Sequence, residues 1–250
     1  MKTSVYDNDV FFESYQKLRS NPNSLNEVVE KPTMLSLLPD LQGKKLLDLG
    51  CGMGEHLQLY LAHGAQFVVG VDLSATMLAQ AQADLTKLSK KSPHFSLYQL
   101  ALEELEQLDE TGFDVITGSF VFHYVENLPA LLNKIYTKLN SGGVLVFSQE
   151  HPITTCHKTG ERWEKGVPIE QRAYRLRHYR DEGERKRNWF QQPFITYHRT
   201  IATIMNHLIA AGFRIVRVEE PMLEKQPEWH TEFKDLQHRP PLLFIKAEKI

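Results

Sequence analysis

Cysteine is nearly absent: the 250-residue chain contains only Cys51 and Cys156. Two cysteines, one of them inside a glycine loop, cannot build a disulfide framework. Neither they nor the histidines show zinc-ligand spacing, so no metal is expected. Charge of one sign is equally scarce. Lys and Arg number 29 against 31 Asp and Glu, a formal net charge of -2. No broad basic field therefore draws the chain to nucleic acid, and a small or neutral substrate fits better. Long hydrophobic runs are missing as well. No stretch reaches the roughly 18 apolar residues of a membrane span, and MKTSVYDNDVFF carries no apolar signal core. These absences lead to the expectation of a cytoplasmic protein with reduced thiols and no membrane partner. They say nothing about oligomeric state.

The length suffices for one large α/β domain, or for such a domain with one insertion. Over residues 44–148 short apolar runs alternate with helical patterns, the signature of βαβ units and a parallel sheet. KKLLDL, QFVVGVD, HFSLYQL, FDVITGS and GVLVFSQ are nearly continuous apolar strands, as expected where helices cover both faces of a sheet. Met77, Ala81, Leu85 and Leu88 recur at helical spacing behind Ser74, a good N-cap. Leu128, Leu131, Leu132, Ile135 and Leu139 do so behind Asn127, and Gly142 and Gly143 are expected to end that helix. Before the first strand, residues 10–19 and 25–38 read as two helices broken by Asn21-Pro22-Asn23, a cap over residues 1–40. From 151 to 200 the pattern is lost, and this stretch reads as an insertion or substrate lid. Ile201, Ile204, Met205, Leu208 and Ile209 then restore a helix stopped by Gly212, followed by strands FRIVRVEE and PLLFIKAEK. The main domain is expected over residues 41–250.

The sharpest local feature is LLDLGCGMG. A tight turn joins the first strand to the next helix, and Gly50, Gly52 and Gly54 remove side chains that would block a ligand lying on the backbone. Two cofactors compete for such a loop. A dinucleotide loop has spacing GxGxxG and holds a pyrophosphate on the helix N-terminus. Here the third glycine falls at Glu55, and Asp48 adds a second negative charge at the strand end. Both would repel pyrophosphate. S-adenosylmethionine (SAM) carries no phosphate, and its ammonium and sulfonium groups welcome acidic neighbours.

LDLGCGMG followed by VVGVDLS resembles the first two motifs of class I SAM-dependent methyltransferases. The resemblance implies a Rossmann-like, doubly wound seven-stranded sheet, mostly parallel with an antiparallel last strand, and SAM as cofactor. It implies cofactor contacts from Asp48, Gly50, Cys51, Gly52 and Gly54, and ribose hydrogen bonds to Asp72, with Leu73 and Met77 flanking the adenine. LALEEL resembles the next family segment only in part: Ala101 stands where many relatives have aspartate, leaving the Leu102 backbone and Glu103 for the adenine amino group. FDVITGSFVFHYVEN resembles the fourth motif, with Asp114 structural and Ser119 ending the strand over the cofactor. On the N-terminal helix, Tyr15 and Arg19 have the spacing to close on the cofactor's carboxylate. SQEHPITT, YRDEGERKRNW and YHRTIATIMNHLIAAGF resemble a group of bacterial methyltransferases of unassigned substrate.

Methyl transfer is an in-line displacement in which positioning supplies much of the acceleration, and a general base is needed only for a protonated acceptor. Ligands of open α/β sheets bind beyond the carboxyl ends of the strands, which gives priority to His123, Tyr124, Glu150 and His151. His123 is a candidate proton acceptor or a loop-fixing side chain. Glu150 is a candidate to orient His151, or the two form a structural corner with Pro152. Tyr197, His198 and Arg199 could reach back from the insertion. The insertion's Arg172, Arg175, Arg177 and Arg180, interleaved with Tyr174, His178 and Tyr179, suit an anionic or aromatic substrate or a solvated face. Glu170, Asp181, Glu182 and Glu184 partly neutralise them. Trp163, Trp189 and Phe190 are candidates for an apolar roof. The leading reading is a methyltransferase acting on a small molecule. A nicotinamide-dependent dehydrogenase and a SAM-binding protein without turnover remain as alternatives.

Overall fold

A computed structural model describes residues 4–88, 94–159, 162–168, 171–222, 236 and 239–250. Its main sheet follows the five apolar runs in order: β1 (Lys45–Leu49), β2 (Phe67–Asp72), β3 (Phe95–Gln99), β4 (Phe113–Ser119) and β5 (Leu139–Glu150). The insertion contributes a separate hairpin, β6 (Gly183–Trp189) and β7 (Gln192–His198). The last two strands, β8 (Phe213–Glu219) and β9 (Leu242–Lys249), complete a seven-stranded sheet in the order β3-β2-β1-β4-β5-β9-β8. β9 is antiparallel to both neighbours, and the other pairs are parallel. The chain direction across the sheet reverses between β1 and β4, the switch point beyond which ligands of such sheets bind.

Alternation along each strand assigns the two faces. Leu47, Leu49, Val69, Val71 and Ile116 face a core closed by α5 (Leu128–Lys138) and α7 (Ile201–Ala210). Leu46, Val68, Val115 and Val146 face the opposite core with Met34 and Leu37 of α2 (Lys31–Leu37), Leu57 and Tyr60 of α3 (Glu55–Ala62), and Leu78 and Leu85 of α4 (Ala75–Leu88). Both faces are covered, which is why the strands read as unbroken apolar runs. Ser74 Oγ accepts from the Met77 amide at 3.1 Å, and Asn127 Oδ1 from the Ala130 amide at 3.1 Å, so both expected caps are formed.

Two expectations are corrected and one, the N-terminal helix pair, is refined. α5 ends at Lys138, four residues before the glycines; Leu139 is already paired with Phe113 across β4 and β5. An apolar residue in helical phase was thus taken by the sheet. The N-terminal pair consists of α1 (Asp9–Arg19) and a helix whose first part, Asn26–Glu30, is a π turn running into α2. The segment after β5 is not patternless: α6 (Pro152–Thr155) caps it, and the β6–β7 hairpin follows. That hairpin turns on Phe190 and Gln191 at φ +47° and +63°. Such a two-residue turn is favoured by Asn-Gly or Gly-Gly, so its residues gave no turn signal. Glu170 lies outside the described residues. Among the described residues no helix is long and apolar enough to cross a membrane, and no group of three or more His, Cys, Asp or Glu could hold a metal ion.

Candidate functional site

The floor of the site is the glycine loop between β1 and α3. Gly50, Gly52 and Gly54 all have positive φ, at 67°, 53° and 77°, but their surroundings differ. A Cβ on Gly50 would meet Val121 Cγ2 at 2.7 Å, and one on Gly54 would meet Ala81 Cβ at 3.0 Å. On Gly52 it would meet nothing within 4 Å. Two of the glycines therefore serve packing, while Gly52 presents bare backbone to open space. Its amide donates to Asp72 Oδ2 at 2.9 Å, and the Ser74 amide donates to Asp72 Oδ1 at 2.8 Å. Each carboxylate oxygen keeps a further lone pair. Burial raises the Asp72 pKa, and those amides pull it back. Cys51 is buried beneath the loop, its thiol pushed up by burial.

Asp48 shares the sheet face of Leu46 and is almost completely buried. Thr117, its register partner on β4, donates to it at 2.7 Å. Burial pushes the Asp48 carboxyl up to about 6, against the opposing charge of His56. On the same face lies a carboxylate the sequence reading missed. Glu30, fully buried, accepts from Ser119 Oγ at 2.6 Å and Ser148 Oγ at 2.8 Å through one oxygen. Its other oxygen stands 3.3 Å from His56 Nε2. Burial works against the Glu30 charge, but His56 and the two serines outweigh it and lower the pKa; His56 is raised in turn despite burial. Ser119 is thus engaged beneath the site by the N-terminal segment. A signal did exist: Glu30 stands four residues before Met34 and seven before Leu37, in the place of an apolar residue on a buried helical stripe.

Arg19 meets Glu55 in an ion pair, joined by Lys31 Nζ at 2.9 Å. Glu55 is therefore compensated by two cations, and its charge excludes a phosphate less strongly than the sequence suggested. Asp7 accepts from Ser74 Oγ at 2.6 Å and from the Thr76 amide at 3.2 Å, bringing the N-terminus to the start of α4. Leu73 lends its carbonyl to Gln99 Nε2 at 3.2 Å; Met77, Ala101 and Leu102 are buried, and Glu103 lies in the first turn of a 3₁₀ helix, Leu102–Gln107, capped by Ala101.

The roof is aromatic. Tyr15 on α1 lies 5.0 Å from Tyr6 and 5.9 Å from Trp189, and Phe11 lies 5.5 and 5.4 Å from Trp189 and Phe190, all edge to face. The tip of the β6–β7 hairpin is thereby docked on the N-terminal helix. Of the three aromatics named from the sequence, Trp189 and Phe190 pack on α1, and Trp163 packs on Tyr174, 4.9 Å away.

His123 is buried, and among the described residues its Nδ1 lacks a hydrogen-bond partner. Burial lowers its pKa, Glu150 opposes this, and Arg187 and Arg199 reinforce it. Its ring lies 4.4 Å from that of Tyr124, whose hydroxyl bonds to Tyr6. Glu150 and His151 do not form the expected pair. Neighbours on a strand point to opposite faces, and His151 Nε2 lies 2.8 Å from Glu220 Oε1 while its Nδ1 accepts from the Ile153 amide at 3.2 Å. This fixes the proton on Nε2 and makes His151 the N-cap of α6. His198 is likewise locked, by Thr155 at 2.8 Å and the Tyr179 carbonyl at 2.9 Å, and Arg199 bonds the carbonyls of Val125 and Glu126. Arg172, Arg175, Arg177 and Arg180 are exposed. Asp114 ties the start of β4 to the Lys45 amide and Asn140.

A family model described as a methyltransferase domain matches residues 47–145. A SAM-dependent methyltransferase of known structure from Mesorhizobium loti is 32% identical, with 90% of this chain and 100% of that one covered and a TM-score of 0.77. The chain belongs to the SAM-dependent methyltransferases, and its cofactor is S-adenosylmethionine. The nicotinamide reading is thereby set aside. An uncharacterized protein of Haemophilus influenzae is 68% identical over 249 residues, covering 100% of this chain and 98% of that one. A tRNA U34 carboxymethyltransferase of Mannheimia succiniciproducens is 28% identical over 201 residues, 78% of this chain and 54% of that enzyme. The chain spans about half the length of that relative.

Proposed function

We propose that this methyltransferase transfers the methyl group to a small-molecule acceptor held between the glycine-loop floor and the aromatic roof. The observation that carries this reading is His123 Nδ1, buried and, among the described residues, unpartnered, beside Tyr124, whose hydroxyl bonds to Tyr6 of the aromatic cluster. The residues present suit SAM: Gly52 offers backbone where a Cβ would meet nothing, and Asp72 at the adjoining strand end keeps lone pairs for ribose hydroxyls. Leu73, Met77, Ala101, Leu102 and Glu103 are assigned to the adenine end. Tyr15 and Arg19 close the side nearest α1, where Arg19 reaches the cofactor's carboxylate only by sharing its Glu55 bond. Asp48, Cys51 and Ser119 support the loop and the end of β4 from beneath.

The bound cofactor supplies an electrophilic methyl carbon. The chain's own work is positioning and proton handling. Held below its ordinary range by burial, His123 is unprotonated at neutral pH, and Nδ1 is the atom that takes a proton from an O–H or N–H acceptor. Glu150 favours the imidazolium so formed. The aromatic roof and α1 exclude water, with residues 151–200 acting as the lid and 1–40 as its N-terminal partner. His151, engaged at both nitrogens, is a corner residue with no part in the proton transfer. A cytoplasmic setting suits this reading.

RNA is the second reading, favoured by the exposed arginines 172, 175, 177 and 180. Incubating the protein with methyl-labelled SAM and a cell extract, then separating by size, decides between them. Label in the low-mass fraction is expected; label confined to tRNA would contradict the proposal. His123→Asn should lower kcat by about 100-fold or more and abolish the acidic limb of its pH profile, where the rate falls as His123 becomes protonated; an unchanged profile would remove His123 from the mechanism.

A further inference from the structure

On β6, Arg185 and Arg187 point to the same face two residues apart, yet they are bonded very differently. Arg185 spends its donors on carbonyls: Nε on Cys156, Nη1 on Gly183 and Glu184, Nη2 on Asp181. It is a structural clamp. Arg187 gives Nη2 to the Thr155 carbonyl at 3.0 Å, while its Nε is buried with no partner. Beside it, past α6, His157 is 2% exposed and its Nε2 is also buried without a partner. Two buried polar atoms, one of them a guanidinium donor, that are left unbonded among the described residues are costly.

The charged groups that act on His157 have one sign. Arg162, Arg187, His178 and Arg239 all act on His157, and together with burial, the larger cause, they push its pKa down to about 4. Tyr174 closes the ring side, 5.3 Å from His157. Arg239 covers Tyr174 at 4.9 Å and donates to Thr154 Oγ1 at 3.3 Å. Arg162 and Arg185 also act on Arg187, and the carboxylate opposing them is Glu150, the group that opposes burial at His123. Glu150 therefore links this cluster electrostatically to His123.

We propose that Arg187, His157 and Arg162 form an anion subsite that holds a carboxylate or phosphate group of the methyl acceptor. The proposal rests on the small-molecule reading above and specifies it: the acceptor is an acid. An oxyanion accepting from Arg187 Nε and His157 Nε2–H satisfies both orphaned atoms, and its charge lets His157 take up a proton. The arginines at 172, 175, 177 and 180, suggested by their spacing in sequence, are solvated and have no part in it.

The test is nitrogen NMR of the full-length protein labelled in its histidines, titrated at neutral pH with inorganic phosphate and with acetate, against chloride at equal ionic strength. Expected is a saturable shift of the His157 resonances toward the protonated form, weakened about tenfold or more in Arg187→Gln and largely kept in Arg187→Lys. No saturable shift, or equal shifts in both variants and in chloride, would overturn the subsite. Retention of the wild-type melting profile by Arg187→Lys separates loss of binding from loss of fold. Saturable anion binding with methyl label found only in tRNA would leave the anion subsite standing while retiring the small acceptor it was assigned to.

Discussion

The floor and the roof of this site are built on different rules. The floor is made of contiguous residues: a strand end, three glycines and a helix start, with Asp72 from the next strand only 20 residues on. The roof joins α1 to a hairpin tip nearly 180 positions away through ring contacts between Phe11, Tyr15, Trp189 and Phe190. A floor fixed by backbone geometry suits a constant cofactor. A roof fixed by side-chain packing can be altered residue by residue, which suits a specific acceptor.

The comparison breaks first where floor and roof are joined. Glu30 carries the N-terminal segment onto β4 and β5, and Glu30→Ala leaves His56 buried without its counter-charge. A loss of about 3–5 kcal/mol is expected in denaturant unfolding; a loss below about 1 kcal/mol would show the pair to be incidental. The pair also sets a pH window. His56 is raised in the folded chain, so its contribution is full below the ordinary histidine range and is lost as pH rises through the raised value. Glu30 is lowered despite burial, so its contribution is present above the ordinary carboxylate range and is lost as pH falls through the lowered value. The melting temperature should therefore decline on the alkaline side in the wild type, and less steeply in His56→Gln.

Within the floor, Gly50→Ala should cost about 3 kcal/mol, because a left-handed backbone and the 2.7 Å approach to Val121 add together. Gly52→Ala should cost only the backbone share, about 1–2 kcal/mol, while weakening SAM binding more than Gly50→Ala does at matched stability. Equal effects on binding would erase the distinction between packing and cradling glycines. In the roof the sign reverses. Gln191 is exposed at φ +63°, so Gln191→Gly should stabilise by about 1 kcal/mol, checked by thermal unfolding. Smallest of all, Arg175→Gln on the solvated face should shift stability by no more than about 0.5 kcal/mol.

The same division governs what could be read from the chain itself. All seven strands of the main sheet were legible, because burial on both faces leaves continuous apolar runs, and the glycine loop announces its own turn. Leu139 misled because an apolar residue in helical phase is equally at home in a strand. Glu30 and His56 were passed over because their value lies in meeting each other across the fold. The partner of His151 proved to be Glu220, 69 residues away, where sequence adjacency pointed to Glu150. The β6–β7 hairpin hid because its turn residues, Phe190 and Gln191, lack the usual chemistry and are held in place by the aromatic contacts around them.

That Gly52 and Asp72 stand at the centre of the cofactor site is the proposal on which the rest depends. Calorimetric titration of SAM into the wild type and Asp72→Ala tests it most directly. Saturable binding to the wild type is expected, weakened about tenfold or more by the substitution. Absence of binding at millimolar SAM, or equal affinity in the two proteins, would contradict it.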